Sequence, residues 1–308
     1  MSLAAEPTYT LSDLERWPVA GVPLAVIGRP ISHSLSPVMH NAALAELGKT
    51  KPEFRRWHYH KFDISPDELA AALELFRHKG FHGLNLTVPH KTLVVPHLKS
   101  QDPFVRASGA ANTLKIADGG WFGCNTDGIG LTSALRDNLE VSLKGSNVIL
   151  LGAGGAARAA AVECLAAPCA SLWIGNRTAA SLAGLLESLA GIIPASGSPP
   201  VTGFDPKHPP AALRPGSIVI NATSLGLKPD DESPLDLTRI PRPAQVFDMI
   251  YRPAETALLR HARALEIKYA NGLSMLVYQG ARSLELWSGE TAPTRIMHQA
   301  VRSALRSP

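Results

Sequence analysis

The most informative pattern along the chain is an apolar segment that leads into glycines and then into alanines. Asn147–Leu151 is an apolar run of strand length, and an alanine-rich stretch of helical character follows it. Between them, Gly152, Gly154 and Ala157 fit the spacing G-x-G-x-x-G/A. Strand, glycine turn and helix in this order are typical of a dinucleotide-binding unit, in which N–H groups at the helix start face the pyrophosphate. The alternative interpretation is a structural glycine turn.

The next apolar segment indicates which dinucleotide this unit binds. The predicted strand 171–174 ends just before Asn176, Arg177 and Thr178, at the point where an NAD enzyme carries an acid for the ribose 2′-hydroxyl. A cation and a hydroxyl stand there instead, and a guanidinium matches a 2′-phosphate with paired donors. The segment therefore favours NADP over NAD. The alternative is that Arg177 is an ordinary solvated arginine.

Alternating helix-like and strand-like periods over both halves of the chain predict an α/β protein with parallel sheets. From residue 147 to about 270 the two kinds of element alternate, and the Pro-, Gly- and Ser-rich run 192–215 is interpreted as a loose connection. Ser36 is predicted to cap a helix that has Pro37 at its first position and stops at Gly48. Further strands are predicted at 23–28, 58–62 and 81–87, a hairpin at 113–116 with 121–125, and helices at 11–17, 65–79, 102–108, 127–139, 276–286 and 294–305. Ser65 and Glu68 predict a capping box at the start of the helix 65–79.

Composition narrows the class of protein. A chain of 308 residues is long enough for two domains. The net charge of +4 comes from scattered basic residues, so nucleic-acid binding is not inferred. No apolar run has the length of a membrane span, and no signal peptide is visible. Three cysteines without a C-x-x-C spacing suggest a cytoplasmic, reducing setting and no structural metal.

Several polar blocks are candidates for chemistry. Ser34 and Ser36 precede a predicted helix, where hydroxyls and the positive helix end suit a carboxylate, although simple N-capping explains Ser36 equally. Lys91 follows the third predicted strand and is the candidate general acid/base, while the alternative is a surface lysine. Asn112 and Asp127 offer an amide and a carboxylate for ligand hydroxyls, and Asp127 alternatively only favours a helix start.

Between residues 23 and 290 the chain carries nine ordered blocks: HSLSP, NLTVPHK, GAANT, GCNTDGIG, GAGGAARA, GNRT, INATSLG, DMIYRPAET and NGLSMLVYQGA. Together these blocks resemble the shikimate dehydrogenase family. The resemblance implies reversible, NADPH-linked reduction of 3-dehydroshikimate to shikimate. It also implies an N-terminal α/β substrate domain and a Rossmann-type NADP-binding domain, with the C-terminal helices returning to the substrate domain. The expected domains are 1–130 plus 272–308 for substrate and 131–271 for the dinucleotide.

The resemblance also implies roles for individual residues. Lys91 and Asp127 match the catalytic pair. The substrate-binding positions are Ser34, Ser36, Thr87, Asn112, Asp127, Tyr251 and Gln279. The cofactor-binding positions are Gly152, Ala153, Gly154, Gly155, Ala156, Asn176, Arg177, Thr178, Thr223, Met249, Gly272 and Met275. Ser181 departs from the family, because many members carry a second basic residue there; this leaves Arg177 more isolated and weakens the preference for NADP.

Two alternatives stay open at this point. One is a quinate/shikimate dehydrogenase that also uses NAD, and Arg177 together with Ser36 favours the shikimate-specific type over it. The other is a non-catalytic ligand sensor of the same fold, against which the retention of Lys91 and Asp127 argues. The expected partner is the small substrate, without nucleic acid, membrane or metal, and the chain is expected to be a monomer or a homodimer.

Overall fold

The computed structural model describes residues 7–18, 20–192 and 199–306. Within these residues the chain forms two compact units. The first comprises the described parts of Met1–Arg106, Ala110–Thr126 and Val277–Pro308, and the second comprises Ala107–Gly109 and the described parts of Asp127–Leu276. The assignment of substrate binding to one unit and dinucleotide binding to the other remains a prediction.

The N-terminal part of the chain alternates short strands and helices. Its strands are β1 (Thr8–Tyr9), β2 (Val22–Gly28), β3 (Trp57–Asp63), β4 (Gly83–Leu86), β5 (Ser100–Gln101), β6 (Thr113–Ala117) and β7 (Gly120–Cys124). Its helices are α1 (Leu11–Glu15), α2 (Ser36–Thr50), α3 (Leu69–His78), α4 (His90–Leu93) and α5 (Pro103–Ser108), with 3-10 turns at Pro52–Arg56, Pro66–Glu68 and Val95–His97. Apart from the start and stop of α2, the predicted elements are confirmed here with shifts of a few residues at their ends.

These strands form one mixed sheet in the order β1-β3-β2-β4-β6-β7-β5. The strands β1 to β4 are parallel, whereas β6 runs antiparallel to both β4 and β7, which confirms the predicted hairpin. Phe62, Phe76 and Phe81 pack edge to face in the core on one side of the sheet, and all are almost fully buried. The sheet thus presents the carboxyl ends of β2, β3 and β4 along one edge.

The C-terminal part of the chain builds a second sheet. Its elements are α6 (Asp127–Leu139), β8 (Asn147–Leu151), α7 (Gly155–Ala166), β9 (Ser171–Gly175), α8 (Ala179–Ala190), β10 (Val201–Phe204), β11 (Ile218–Asn221), β12 (Gln245–Asp248), α9 (Ala257–Ala264), β13 (Lys268–Asn271), α10 (Leu273–Ser288) and α11 (Thr294–Arg306). A 3-10 turn occupies Leu237–Arg239. The six strands are all parallel, in the order β10-β9-β8-β11-β12-β13, so the predicted α/β class with a parallel, Rossmann-type sheet is confirmed.

Strict alternation of strand and helix was wrong for part of this sheet. Among the described residues, no α-helix lies between β10 and β11 or between β11 and β12. In addition, β10 lies inside the run 192–215, which the composition assigned to a loose connection; residues 193–198 of that run lie outside the described residues. Gly203 lies in this edge strand. The residue is glycine because Leu182 and Leu186 of α8 pack directly over it and leave no room for a side chain. A short edge strand that contains glycine gives little hydrophobic periodicity, so the pattern did not reveal it.

The predicted start and stop of α2 were also wrong. Ser36 is its first helical residue, Leu35 occupies the N-cap position, and no side chain caps this end. The helix continues past Gly48 to Thr50, and Gly48 instead lets the side chain of Arg55 approach, since a Cβ there would lie 3.1 Å from Arg55 Cγ. The hydroxyl of Ser36 is therefore not used as a cap. The Ser65–Glu68 capping box, in contrast, is confirmed.

The C-terminal helices return to the first unit, as expected. Most of α10 belongs to that unit, and α11 packs against α2. Trp287 of α10 donates an indole hydrogen bond to the carbonyl oxygen of Leu114 in β6, at 2.9 Å. Gly83 of β4 lies under the same ring, which occupies the place that a Cβ would take. This packing seats Gln279, which precedes Trp287 by about two turns on the same helix, in the first unit.

Candidate active site

The predicted cofactor-binding residues follow one row of paired residues in the second sheet. Gly175, Leu151, Asn221, Asp248 and Asn271 are the last residues of β9, β8, β11, β12 and β13, and each is in register with its neighbour. The segments that begin directly after this row hold Asn176–Thr178, Gly152–Ala156, Thr223, Met249 and Gly272. In open α/β sheets, ligands bind outside the carboxyl ends of the strands. The fold therefore gathers this set at the edge where such a sheet binds nucleotides.

Gly152 occupies a position that only glycine fits. Its φ of +116° lies in the region that L side chains rarely adopt, and a Cβ there would lie 2.9 Å from the carbonyl oxygen of Ala222. Its N–H donates to the carbonyl oxygen of Gly175 at 2.8 Å, which ties the turn to the neighbouring strand. The first glycine of the motif is thus required by the backbone of the protein itself.

Gly154 has a different reason to be glycine. It is the N-cap of α7 and has an ordinary φ of −80°, and no side chain caps the helix. A Cβ on Gly154 would meet no described protein atom within 4 Å. The protein does not crowd this position, so the backbone of Gly154 is open to close approach by a ligand. The N–H groups of the first turn of α7 suit a pyrophosphate, and buried Ala157 lets the helix pack on the sheet.

The loop after β9 presents the residues predicted to bind the 2′-phosphate. Arg177 and Thr178 are exposed, and Asn176 Nδ2 donates to the carbonyl oxygen of Thr178 at 2.9 Å, which closes a tight turn. Thr178 is the N-cap of α8 and makes no side-chain capping hydrogen bond. Both residues are therefore accessible from solvent, and a guanidinium and a hydroxyl are groups that bind phosphate.

A buried polar network holds the next two loops of this sheet edge. Asn221 Nδ2 donates to Asp248 Oδ1 at 3.0 Å, and the hydroxyl of Thr256 donates to Asp248 Oδ2 at 2.6 Å. Burial raises the pKa of Asp248, and these hydrogen bonds oppose that rise. The N–H of Ile250 also donates to Asp248 Oδ1, at 3.0 Å, so this carboxyl fixes the turn that carries Met249. Nothing in the sequence pattern joins these polar residues.

The same network fixes Thr223 and is adjacent to Gly272. Thr223 donates to Asn221 Oδ1 through both its N–H, at 3.0 Å, and its hydroxyl, at 2.8 Å. Gly272 packs against the backbone of Met249, which fills the place of a Cβ and excludes any side chain. Met275 is buried one turn into α10, whereas Tyr251 is half-buried in the loop after β12. Their contacts with a nicotinamide or a substrate remain predictions.

In the first unit, the turn before α2 presents Ser34 and Ser36. The N–H of Ser36 donates to Ser34 Oγ at 3.3 Å, so the two serines share one turn. Lys61 of β3, although almost fully buried, donates its Nζ hydrogen to the carbonyl oxygen of Ser32 at 2.7 Å and anchors the start of that turn. The turn is therefore held by the protein on its inner side.

Thr87 and Lys91 lie on the loop that follows β4. The N–H of Thr87 donates to the carbonyl oxygen of Ile27 at 3.0 Å, and its methyl group packs over Gly28, where a Cβ would displace it. The carbonyl oxygen of Lys91 accepts a hydrogen bond from the N–H of Ala111 at 2.8 Å. This bond places the backbone of Lys91 beside the segment that carries Asn112.

The side chain of Asn112 organises the centre of the first unit. Asn112 Oδ1 accepts from the N–H of Thr126 at 2.8 Å, and Asn112 Nδ2 donates to the hydroxyl of Thr126 at 2.9 Å and to Gln279 Oε1 at 3.2 Å. Asp127 is the residue after Thr126 and the first residue of α6, and it is buried. Lys91 belongs to the first unit and Asp127 to the second, and their role as a catalytic pair remains a prediction.

Two residues beside the predicted substrate positions were missed. Tyr59 donates its phenol hydrogen to Asn85 Oδ1 at 2.7 Å, and Asn85 Nδ2 donates to the carbonyl oxygen of Asn112 at 3.0 Å. Both side chains are buried. Asn85 stands within the block NLTVPHK, so its type and place were visible; Tyr59 lies in a strand whose sequence, WHYHKFD, gives no hint of a polar contact.

Comparison with known proteins agrees with this geometry over most of the chain. The family models described as "Shikimate dehydrogenase substrate binding domain" and "Shikimate 5'-dehydrogenase C-terminal domain" match residues 26–114 and 272–302. A shikimate dehydrogenase (NADP(+)) of Moorella thermoacetica is 40% identical over 285 residues, which cover 92% of this chain and 93% of the relative. The chain belongs to the shikimate dehydrogenase family.

Solved structures of shikimate dehydrogenases share the fold. One in complex with NADP+ has a TM-score of 0.82 at 32% identity and covers 94% of this chain and 100% of its own. That of Thermus thermophilus, in complex with NADP(H) and shikimate, has a TM-score of 0.78 at 34% identity, with 92% and 99% covered. A 5-ketofructose reductase of Gluconobacter also matches, with a TM-score of 0.76, 30% identity, and 92% and 99% covered. A protein named as a reductase of another compound thus shares this fold.

Metal-binding and membrane-spanning features are absent from the described ranges 7–18, 20–192 and 199–306. No group of three or more His, Cys, Asp or Glu side chains in these ranges is placed to hold a metal ion. All three cysteines are buried and free. None of the described helices combines the length and the apolar character that crossing a membrane needs.

Proposed function

We propose that this chain catalyses the reversible, NADPH-dependent reduction of 3-dehydroshikimate to shikimate. The observation that carries the proposal is the likeness to NADP-dependent shikimate dehydrogenases over 92% of the chain. The geometry supports it in both units. In the second unit, one edge of the sheet carries the glycine turn and the Arg177 loop. The first unit carries the turn with Ser34 and Ser36 and the amides Asn112 and Gln279.

The residues at the edge of the second sheet have the properties that binding of NADP requires. Gly152 allows the tight turn, Gly154 leaves room beside the start of α7, and Arg177 supplies an exposed cation where NAD enzymes carry an acid. We propose that Gly152–Ala156 hold the pyrophosphate and that Asn176–Thr178 hold the 2′-phosphate. Thr223, Met249, Gly272 and Met275 are proposed to line the nicotinamide. When bound, the cofactor supplies or accepts the hydride.

The chain's own residues handle charge and protons. In the reductive direction negative charge develops on the ketone oxygen, and the ammonium of Lys91 stabilises it and gives up a proton to form the new hydroxyl. In the oxidative direction the neutral amine takes the proton back from that hydroxyl. The carboxylate of Asp127 is proposed to orient the Lys91 side chain. Each step thereby balances one proton on Lys91 against one on the substrate oxygen.

The remaining substrate groups are assigned to the other side chains of the resemblance. Ser34 and Ser36 are proposed to bind the carboxylate, with Tyr251 near that end. The amides of Asn112 and Gln279 and the hydroxyl of Thr87 are proposed to bind the ring hydroxyls. A hydroxyl acts as donor and acceptor at once, and the amides of Asn112 and Gln279, joined by a hydrogen bond of 3.2 Å, bring groups that can donate and accept to one place.

The deciding experiment is a steady-state panel of purified protein. Shikimate and quinate are oxidised with NADP+ or NAD+, and 5-ketofructose is reduced with NADPH or NADH. We expect kcat/KM to be highest for shikimate with NADP+. A higher value for quinate with NAD+ would favour the broader quinate/shikimate type. A higher value for 5-ketofructose, which has no carboxylate, would overturn the proposed substrate. Absence of turnover together with shikimate binding would indicate a ligand sensor.

The cellular setting and assembly are proposed more coarsely. Three buried, free thiols support a reducing compartment, since no disulfide links them. We therefore propose a cytoplasmic enzyme. We also propose that it acts as a monomer or a homodimer, which sedimentation velocity of the purified protein distinguishes.

A further inference from the structure

The hydroxyl of Ser283 is a buried polar group on α10 to which the mechanism above gives no role. The side chain is fully buried, and its Oγ has partners on two strands of the first sheet. Asn85 Nδ2 of β4 donates to it at 3.0 Å, and Thr113 Oγ1 of β6 lies 2.8 Å from it. Ser283 also donates to the carbonyl oxygen of Gln279, one turn earlier in the same helix, at 3.0 Å. One hydroxyl thus joins the helical turn of Gln279 to β4 and β6.

The available hydrogens are sufficient for all of these contacts. Asn85 Nδ2 carries two hydrogens, one for Ser283 Oγ and one for the carbonyl oxygen of Asn112, which lies 3.0 Å away. With the hydrogen of Thr113 directed at Ser283 Oγ, and that of Ser283 directed at the carbonyl oxygen of Gln279, Ser283 donates once and accepts twice. This is the full capacity of a hydroxyl, so the group is held in one orientation.

The amide that Gln279 contacts is fixed in the same part of the unit. Asn112, the residue directly before β6, donates from its Nδ2 to Gln279 Oε1 at 3.2 Å. Asn112 Oδ1 faces the N–H of Thr126 at 2.8 Å, and because an N–H only donates, the orientation of the Asn112 amide is determined. Gln279 is therefore linked to the sheet at two points, at its side chain by Asn112 and at its backbone through Ser283.

We propose that Ser283 is a positioning residue, whose hydroxyl holds the turn of α10 that carries Gln279 in the place from which its amide meets Asn112 and the substrate. This inference rests on the proposed function. Trp287 attaches the same helix to Leu114 of β6 one turn further along. Ser283 is the attachment nearer to Gln279, so its loss should loosen the turn of Gln279 while Trp287 still seats the helix.

Removal of the hydroxyl should leave no buried donor without an acceptor. Asn85 Nδ2 keeps the carbonyl oxygen of Asn112 and also lies 3.1 Å from Thr113 Oγ1. The hydroxyl of Thr113 keeps Asn112 Oδ1, at 2.9 Å, as an acceptor. Because a stranded donor is what makes the loss of a buried hydrogen bond costly, Ser283→Ala should fold. Its effect should fall on the position of Gln279.

A double-mutant cycle tests whether Ser283 acts through Gln279. The variants are Ser283→Ala, Gln279→Ala and the pair, assayed for kcat and KM with shikimate and NADP+. Loss of one hydrogen bond that orients a substrate-binding side chain should raise the KM for shikimate about three- to fivefold in Ser283→Ala. The kcat and the KM for NADP+ should change less than about twofold, since no cofactor-binding residue is touched. In the Gln279→Ala background, Ser283→Ala should add no further rise.

A matched control lies on the same helix. Ser288 makes the same kind of bond, from its hydroxyl to the carbonyl oxygen of Leu284 four residues earlier, at 2.7 Å. Its Oγ accepts from the N–H of Glu290 just past the helix end, at 3.1 Å, where Ser283 accepts from a strand of the sheet. Ser288→Ala should therefore leave the KM for shikimate unchanged. An equal rise in Ser288→Ala and Ser283→Ala would overturn the inference, because the effect would then come from the helix in general.

The remaining outcomes are separable. An unchanged KM for shikimate in Ser283→Ala, or the same rise with and without Gln279, overturns the inference. If Ser283→Ala does not fold, Thr113→Val removes the partner hydroxyl from the strand with a side chain of similar shape. A rise of about twofold or more that disappears in the Gln279→Ala background would then support the inference, and any other result would overturn it. A wild-type protein that does not oxidise shikimate overturns the proposed function as well. An active wild type with an additive cycle overturns this inference alone.

Discussion

Asn112 Nδ2 lies 3.2 Å from Gln279 Oε1, although 167 positions separate the two residues in the chain. The contact exists because α10 returns to the first unit and packs its Trp287 against β6. The two amides differ in what else they hold. Asn112 is also bonded to the N–H and the hydroxyl of Thr126, whereas Gln279 is half-buried on the surface of its helix.

This difference predicts opposite outcomes for the two substitutions. Asn112→Ala leaves the buried N–H of Thr126 without its acceptor and should lower the free energy of unfolding by about 1–3 kcal/mol. Gln279→Ala should leave stability nearly unchanged and raise the KM for shikimate about tenfold. Urea unfolding and steady-state kinetics of both variants check this. An unchanged KM for shikimate in Gln279→Ala would contradict the assignment of Gln279 to the substrate.

Lys91→Ala tests the proposed acid/base. Without the ammonium, proton transfer to the substrate oxygen loses its donor, and kcat should fall about a hundred- to ten-thousandfold. The dissociation constant for NADPH, measured by its fluorescence, should stay within about twofold, because the phosphate-binding residues are untouched. Lys49→Ala is the control, since Lys49 pairs with Glu46 on the exposed side of α2. Near-normal turnover in Lys91→Ala would remove Lys91 from the mechanism.

Arg177→Ala tests the reading of the 2′-phosphate. A charge-assisted hydrogen bond contributes about 1.5–3 kcal/mol, so the KM for NADPH should rise about ten- to a hundredfold while that for NADH stays constant. Arg136→Ala removes another exposed arginine, paired with Asp137, and should change neither value. Ser181 offers no second cation beside this loop, which makes the effect of a single arginine easier to measure. Equal changes for both cofactors would show that Arg177 does not bind the 2′-phosphate.

The two motif glycines should respond to alanine in different ways. Gly152→Ala places a methyl group 2.9 Å from a backbone oxygen at a φ of +116°, so it should lower the melting temperature and the yield of folded protein. Gly154→Ala meets no described protein atom and should fold normally, but its methyl group stands where the pyrophosphate is proposed to bind. It should therefore weaken NADPH binding about tenfold or more without a change in melting temperature. Normal NADPH affinity in folded Gly154→Ala would argue against a pyrophosphate at this turn.

The sequence predicted the parts of this molecule that depend on local patterns. Asn147–Ala161 combines a buried strand, a glycine turn and a helix, and each leaves a short-range signal. The Ser65–Glu68 capping box is local in the same sense. The strand β10 was missed because it is a short edge strand with a glycine in it. The end of α2 was misplaced because Gly48 serves a contact with Arg55 that only the tertiary structure creates.

The candidate site shows the same limit. The blocks that resemble shikimate dehydrogenases marked Ser36, Asn112 and Gln279, but nothing in the sequence joined them. Tyr59 and Asn85 reach the backbone of Asn112 through hydrogen bonds between strands far apart in sequence. Asp248 is a similar case, because its partners Asn221 and Thr256 come from two other elements. Side chains that support a site without contacting the ligand are brought together by tertiary packing, which a single sequence does not reveal.

His40 should make stability depend on pH. It is fully buried against Tyr59, neither ring nitrogen has a hydrogen-bond partner among the described residues, and burial lowers its pKa from 6.5 to about 3. The unfolded chain therefore binds a proton between these pKa values that the folded protein does not. The contribution of the neutral His40 ring to the free energy of unfolding is fully present above the pKa of the unfolded state. It is lost progressively as the pH falls below that value. At pH 5 the loss relative to pH 7 should approach about 2 kcal/mol.

The variant His40→Leu isolates this contribution. Urea unfolding at pH 7 and at pH 5 should show a smaller loss of stability in the variant than in the wild type, by about 2 kcal/mol, because the buried imidazole is gone. His90 also has a pKa lowered by burial, opposed by its hydrogen bond to the carbonyl oxygen of Ile64, so both proteins retain some loss on acidification. The comparison between them removes that shared part. Identical pH dependence in the two proteins would mean that His40 accepts its proton without unfolding, and that the stack on Tyr59 tolerates an imidazolium.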